Sequence, residues 1–279
     1  MELINPKKYI KKFKFVPSKK MGQNFLVDEF VIQEIIDQLD NAEYDAIIEI
    51  GPGLGALTKY LYKLNVDLHL IELDKRLFAY LNERFGKDQN VKLYCQDVLQ
   101  TDLDEIAKNY KNCIIVSNLP YSISSLVIIK FLKTKKIKTM YCMLQKELVE
   151  RMICKPKSRI YSSFSVLVQK QATVDKLIDI DNSSFVPPPE VQSNFICITK
   201  KHNSQYNEEF NKFVKFIFSA KRKTMWNNLK VKLSTEQISK LYDYFKLNRN
   251  IRSEELKYQE IEKIRNYYFW YSCWKIKTC

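Results

Sequence analysis

From residue 45 onward the chain alternates short apolar runs with amphipathic stretches. Runs at 45–50 (Asp-Ala-Ile-Ile-Glu-Ile), 67–72, 91–95, 113–117 and 138–144 have the length and bounding turn residues of buried strands. Between and after them, apolar residues at helical spacing predict helices near 56–64, 75–85, 103–109, 123–133 and 146–154. This βαβα rhythm implies a parallel sheet with helices on both faces. Ahead of it, Asp28 is placed to cap a helix over 29–39, with Phe30, Ile32, Ile35, Ile36 and Leu39 as its apolar face. After Pro156 the rhythm changes. Residues 163–172 and 192–199 read as strands joined through Phe185-Val186-Pro187-Pro188-Pro189, which suits an antiparallel edge on a parallel sheet. A polar stretch at 200–206 marks a boundary, and helices are expected near 207–219, 221–230, 235–246 and 253–268. The organisation is therefore an α/β domain with a basic arm over 1–204 and a small α-helical domain over 205–279. The aromatic end of the last helix (Tyr267, Tyr268, Phe269, Trp270, Tyr271, with Trp274) is expected to dock that helix on the core rather than to form an exposed stacking surface.

Charge adds a partner to this picture. Residues 1–20 carry seven Lys and one Glu, and residues 205–279 carry 16 Lys/Arg and eight Asp/Glu, while the 184 residues between them balance at 23 against 23. The net +14 is thus confined to an arm and a C-terminal segment flanking a neutral middle, a distribution that fits a nucleic acid. No apolar run reaches about 18 residues, so no transmembrane helix is expected, and no apolar segment follows the N-terminal lysines as it would in a secretory signal. Seven cysteines without a C-x-x-C spacing argue for a reducing cytoplasm and against zinc. His69 falls in a strand pattern and is expected to be structural.

Two stretches carry candidate chemistry. Three of the five glycines (Gly51, Gly53 and Gly55) fall together in Glu49-Ile50-Gly51-Pro52-Gly53-Leu54-Gly55, between the first strand of the βα series and the helix after it. Glycines there permit a sharp turn and let backbone approach a nucleotide-type cofactor. Glu72 ends the next strand, where an acid can hold ribose hydroxyls; a dinucleotide and S-adenosylmethionine both fit that pairing. Asp97 ends the third strand, where it either accepts from an adenine amine or is a solvated charge. The second stretch is Asn118-Leu119-Pro120-Tyr121. Proline cannot continue a strand ladder, so Asn118 and Tyr121 are expected in the crevice at a strand's carboxyl end. An amide beside a ring suits a flat heterocycle with an exocyclic amine.

Taken together these residues resemble the ribosomal RNA adenine dimethyltransferases, most closely the small-subunit (kasugamycin-sensitivity, KsgA-type) branch. Gly-Gln-Asn-Phe-Leu (22–26), Glu-Ile-Gly-Pro-Gly-Leu-Gly-Ala-Leu-Thr (49–58), Ile-Glu-Leu-Asp (71–74), Gln-Asp (96–97), Asn-Leu-Pro-Tyr (118–121), Met-Leu-Gln-Lys-Glu (143–147), Phe-x-Pro-Pro-Pro-x-Val (185–191) and Lys-Arg-Lys-Thr (221–224) occur in the family's order. The resemblance implies a Rossmann-like S-adenosylmethionine-dependent methyltransferase domain, mostly parallel with late antiparallel strands, that dimethylates N6 of two adjacent adenines near the 3′ end of 16S rRNA in the small ribosomal subunit. It implies that Asn24, Leu26, Gly51, Gly53, Glu72, Asp97 and Asn118 hold the cofactor. Asn118, Leu119, Pro120 and Tyr121 would form the catalytic segment, with Tyr121 stacked on the target base and Phe185 on its other face. Lys11, Lys12, Lys14, Lys19, Lys20, Lys221, Arg222 and Lys223 would contact RNA. A cytoplasmic monomer with no metal, and a part in subunit biogenesis, are further expectations. Ser162 stands where the family usually has glycine. The competing readings are the erythromycin-resistance branch, which acts on large-subunit RNA, an assembly factor with secondary catalysis, and a nicotinamide oxidoreductase.

Overall fold

The computed structural model describes residues 5–18, 21–40, 42–202, 204–220 and 222–274, the last six without side chains. The chain forms two compact units, Met1–Val149 with Thr173–Lys200, and Glu150–Ala172 with Lys201–Cys279. Against the expected single cut after residue 204, the division falls after Lys200, and residues 150–172 belong with the helical unit.

The first unit is built on β2 (Ala46–Ile50), β3 (Asp67–Glu72), β4 (Val91–Cys95), β5 (Cys113–Asn118), β6 (Thr139–Gln145), β7 (Ala172–Ile180) and β9 (Ser193–Lys200), arranged β4-β3-β2-β5-β6-β9-β7. Strands β2 to β6 pair in parallel, and β9 runs antiparallel to β6. The five parallel strands fall within a residue of the sequence expectation: β2, β3, β5 and β6 are apolar runs buried in the sheet interior, and the edge strand β4, buried only at Val91, is bounded by turn residues. Helices α2 (Glu29–Asp37), α3 (Thr58–Leu61), α4 (Lys75–Phe85), α5 (Leu103–Ala107), α6 (Ser124–Lys133) and α7 (Lys146–Ile153) make the connections. Asp28 caps α2 as expected, accepting from the N–H groups of Phe30 and Val31. The buried face of α2 is Val31, Ile32, Ile35 and Ile36, whereas Phe30 is 73% exposed. A short antiparallel pair, β1 (Phe25–Leu26) with β8 (Phe185–Val186), was not expected. Nor was α1 (Pro6–Phe13), a helix in the basic arm capped by Asn5. Tyr9 and Phe15 anchor this arm. Tyr9 packs on Tyr80, and Phe15 on Phe25.

Residues 163–172 are the clearest reversal. They form helix α8 (Ser163–Gln171), not a strand. Ser162 and Ser165 cap it reciprocally, with Ser165 Oγ accepting from the Ser162 N–H at 3.1 Å. Local capping overrides the β-branched look of the stretch. Ser162 itself is extended at φ −151°, so this position does not require a glycine. The second unit adds α9 (Glu208–Ile217), α10 (Met225–Leu229), α11 (Thr235–Tyr244) and α12 (Tyr258–Trp274) around its own core of Phe213, Ile217, Leu229, Leu241, Ile261 and Ile264. Tyr268 packs on Phe213, and Tyr267 on Tyr244, so these two rings dock α12 within that unit. The side chains of Phe269, Trp270, Tyr271 and Trp274 lie outside the described residues.

Candidate active site

The strand order reverses between β2 and β5, and the carboxyl ends of these strands line a cavity of about 620 Å³. A crevice at that switch point is where open α/β sheets bind ligands, and the volume suits a nucleotide-sized molecule. The chain leaves β2 through Gly51 and Gly53, at φ 67° and 62°. A Cβ on Gly53 would stand 3.1 Å from the Phe25 ring, so position 53 needs both the left-handed backbone and a bare Cα. A Cβ on Gly51 would lie 3.8 Å from Pro120 Cδ, so the glycine loop and the Asn118–Tyr121 segment touch. The Ser117 hydroxyl donates to the Ile50 carbonyl at 2.5 Å and pins the ends of β5 and β2 together.

Acids form one wall. Glu72 accepts from the Gly53 N–H at 3.0 Å and the Asp74 N–H at 2.8 Å, shaping the loop around its own carboxylate. Burial raises its pKa, against the pull of those two donors. Glu49 is 2% exposed and lines the same cavity. Thr58 donates to it at 2.7 Å, and burial, with Glu72 nearby, pushes its pKa up to about 8. Asp74 is held ionised, its pKa down at about 2, by Arg76 and by the Gln23 amide at 3.0 Å. Asp97 lines the cavity, with one oxygen accepting from the Leu99 N–H at 2.8 Å.

The opposite wall is neutral. The Asn118 side chain donates through Nδ2 to the Asn24 carbonyl at 3.0 Å. That bond fixes the amide's orientation and leaves Oδ1 as an acceptor. Leu26, Leu119, Pro120 and Tyr121 also line the cavity. The Tyr121 hydroxyl bonds to Ser193 Oγ at 2.7 Å, and burial raises its pKa. Phe185 departs from expectation. Its ring is 2% exposed in the hydrophobic core, where β8 pairs Phe185 with Leu26, and it is not among the cavity-lining residues. The β1–β8 pairing draws it inward.

Among the expected RNA contacts, Lys11, Lys12 and Lys14 are exposed on and just after α1, and Arg222 and Lys223 are exposed in the second unit. Lys19, Lys20 and Lys221 lie outside the described residues. His69 is buried between the hydroxyls of Tyr94 and Tyr110, with its pKa lowered to about 4 by burial, and is structural.

With this geometry in view, residues 15–269 match the family described as ribosomal RNA adenine dimethylase. The chain belongs to that family. It is an rRNA adenine dimethyltransferase that uses S-adenosylmethionine. A ribosomal RNA small subunit methyltransferase A from Ureaplasma parvum is 39% identical over 94% of this chain and 97% of its own length. The protein of the same name from Borreliella afzelii is 40% identical, over 93% and 92%. A dimethyladenosine transferase from Plasmodium falciparum shares the fold at TM-score 0.71 and 24% identity, over 85% of this chain and 94% of that one. The 23S rRNA methyltransferase ErmE does so at TM-score 0.63 and 19% identity, over 88% and 99%.

The cavity of this dimethylase suits its methyl donor. Glu49 and Glu72 are held by neutral donors, a hydroxyl and two N–H groups. That leaves the acidic wall to be matched by a ligand carrying a sulfonium and an ammonium group. Sequence reasoning missed Glu49 as a site residue, although an acid inside an otherwise apolar strand was a visible signal. It also missed Gln23, Asp74 and Ser193. Ser193 lies 72 residues from its partner Tyr121, and no local pattern announces it.

Proposed function

We propose that this enzyme dimethylates N6 of two adjacent adenines near the 3′ end of small-subunit (16S) rRNA, as a cytoplasmic monomer with a part in small-subunit biogenesis. Support comes from the small-subunit methyltransferases that match it over more than nine-tenths of both chains. The observation that carries the chemistry is the Asn118 amide at the cavity, tethered through its nitrogen, which leaves its oxygen as an acceptor. S-adenosylmethionine, when bound, supplies an electrophilic methyl group on a positively charged sulfur.

The protein's own residues do the rest. Asn24, Leu26, Gly51 and Gly53 would hold the methionine end of the donor, Glu72 its ribose hydroxyls and Asp97 its adenine amine. The Asn118 oxygen and the Leu119 carbonyl accept from the target amine. That favours a pyramidal nitrogen whose lone pair points at the methyl, so alignment provides much of the rate. As positive charge develops on the amine, the same oxygens stabilise it, and the proton leaves to water. A stacked adenine cannot reach this site, so the base is flipped out. Stacking on Tyr121 offsets that cost, being worth roughly 1–3 kcal/mol. Binding rests on phosphate contacts from the arm lysines and from Arg222 and Lys223 of the helical unit.

The test is transfer of labelled methyl from S-adenosylmethionine to under-methylated small ribosomal subunits, with the modified nucleoside identified by mass spectrometry. Dimethyladenosine at two neighbouring 16S positions is expected. Labelling of large-subunit RNA alone would reassign the enzyme to the resistance branch.

A further inference from the structure

We propose that Ser193 is a positioning residue for this reaction, holding the Tyr121 ring at the angle the target base must meet. This rests on the stacking role given to Tyr121 above. Tyr121 sits in the turn between β5 and α6, where the Ile123 N–H closes back on the Pro120 carbonyl at 3.1 Å. No strand ladder fixes residue 121 itself, and its ring retains two side-chain torsions. The far end of the ring is tied by one bond, from its hydroxyl to Ser193 Oγ at 2.7 Å.

The anchor is rigid. Ser193 is fully buried at the start of β9, opposite Gln145 at the end of β6. Two residues back along β6, Met143 pairs with Asn118 on β5. The hydroxyl that anchors the ring and the amide that meets the amine are therefore carried on one continuous ladder, β5–β6–β9. The spacing and tilt between ring and amide are set by the sheet before any base arrives. A stacked base whose amine must reach Asn118 Oδ1 has little angular slack, and small misplacements of reacting groups are costly. Burial raises the phenol pKa, so the tether stays protonated through neutral pH.

The experiment is a double-mutant cycle read by single-turnover methyl transfer to under-methylated small subunits at saturating S-adenosylmethionine. Ser193→Ala and Tyr121→Phe remove the same bond from opposite ends. Tyr121→Phe does so without touching the buried strand, which keeps the test informative if Ser193→Ala folds poorly. Each single variant is expected to slow transfer about fivefold, in line with one neutral hydrogen bond. The double variant should be no slower than either, and cofactor affinity should be unchanged. Two full, multiplicative losses, or a wild-type rate for Tyr121→Phe, would overturn the proposal. Tyr121→Ala separates the two levels of the argument. Strong loss there beside a fully active Tyr121→Phe would remove the tether and keep the stacking. A fully active Tyr121→Ala would remove the stacking as well.

Discussion

The two walls of the cavity are built on opposite electrostatic principles. The wall from β2 and β3 is acidic. Glu49 and Glu72 are buried there with no ion pair among the described residues, and Asp74 is fixed by Arg76 and Gln23. The wall from β5 is neutral, made of an amide, a carbonyl, a proline and a phenol, with the amide oriented by its bond to the Asn24 carbonyl and the phenol by its bond to Ser193 on the sheet. Charge suits the side that binds a cationic donor. Neutral acceptors suit the side where positive charge appears only as the methyl moves, because a carboxylate there would stabilise the bound sulfonium before transfer and gain less during it. The division of labour predicts separable defects.

The larger separable effects are expected on the neutral wall, with Asn118 itself taken last. Tyr121→Ala should lower single-turnover transfer about a hundredfold through lost stacking and lost alignment, with cofactor affinity measured by calorimetry unchanged. On the acidic wall Glu72→Ala should do the reverse. It frees the Gly53 and Asp74 N–H groups and removes the ribose acceptor, so cofactor affinity should fall about thirtyfold while RNA affinity by filter binding stays the same. A Tyr121→Ala enzyme that loses cofactor instead would erase the distinction.

Outside the cavity, replacing Lys11, Lys12 and Lys14 with Gln should flatten the plot of log affinity against log salt by about two units of slope. Deleting the arm is a poorer test, since Tyr9 and Phe15 pack on the α/β core. An unchanged slope would remove the arm from the RNA contact.

The smallest effect concerns Glu49. Its folded pKa of about 8 lies above the ordinary carboxylate value of 4.5. Its contribution to stability is therefore fully present below pH 4.5 and is lost as pH rises through about 8. Glu49→Gln should remove this loss, gaining on wild type by about 3 °C in Tm at pH 8.5 relative to pH 5, in the absence of cofactor. A Tm difference independent of pH would mean that Glu49 is ionised in the fold.

The same contrast explains what could be read from the sequence. The acidic wall and the glycine loop are local, each a few residues at a strand end, and Gly51, Glu72, Asp97 and Asn118 all meet at the cavity as their spacing implied. The parallel strands were legible because apolar runs between turn residues have few other fates. Apart from Glu49, Gln23 and Asp74, which lie in the local stretches already singled out, what was missed is non-local or capped. The pairing of Leu26 with Phe185 joins segments about 160 residues apart along the chain, and it pulls an expected base-stacking ring into the core. Ser163–Gln171 carries a strand-like composition, but the Ser162–Ser165 capping pair makes it a helix. Phe30 belongs to the apolar list by spacing and faces solvent because the buried stripe of α2 runs through Val31 and Ile35.

The central claim is that the Asn118 oxygen acts on the target amine during transfer. It is tested most directly by Asn118→Ala, measured for cofactor affinity and for single-turnover methyl transfer to under-methylated small subunits in the same preparation. Transfer is predicted to fall about a thousandfold, with cofactor affinity within about threefold of wild type, since the donor's main contacts lie on the acidic wall. Near-wild-type transfer at saturating cofactor would contradict the account.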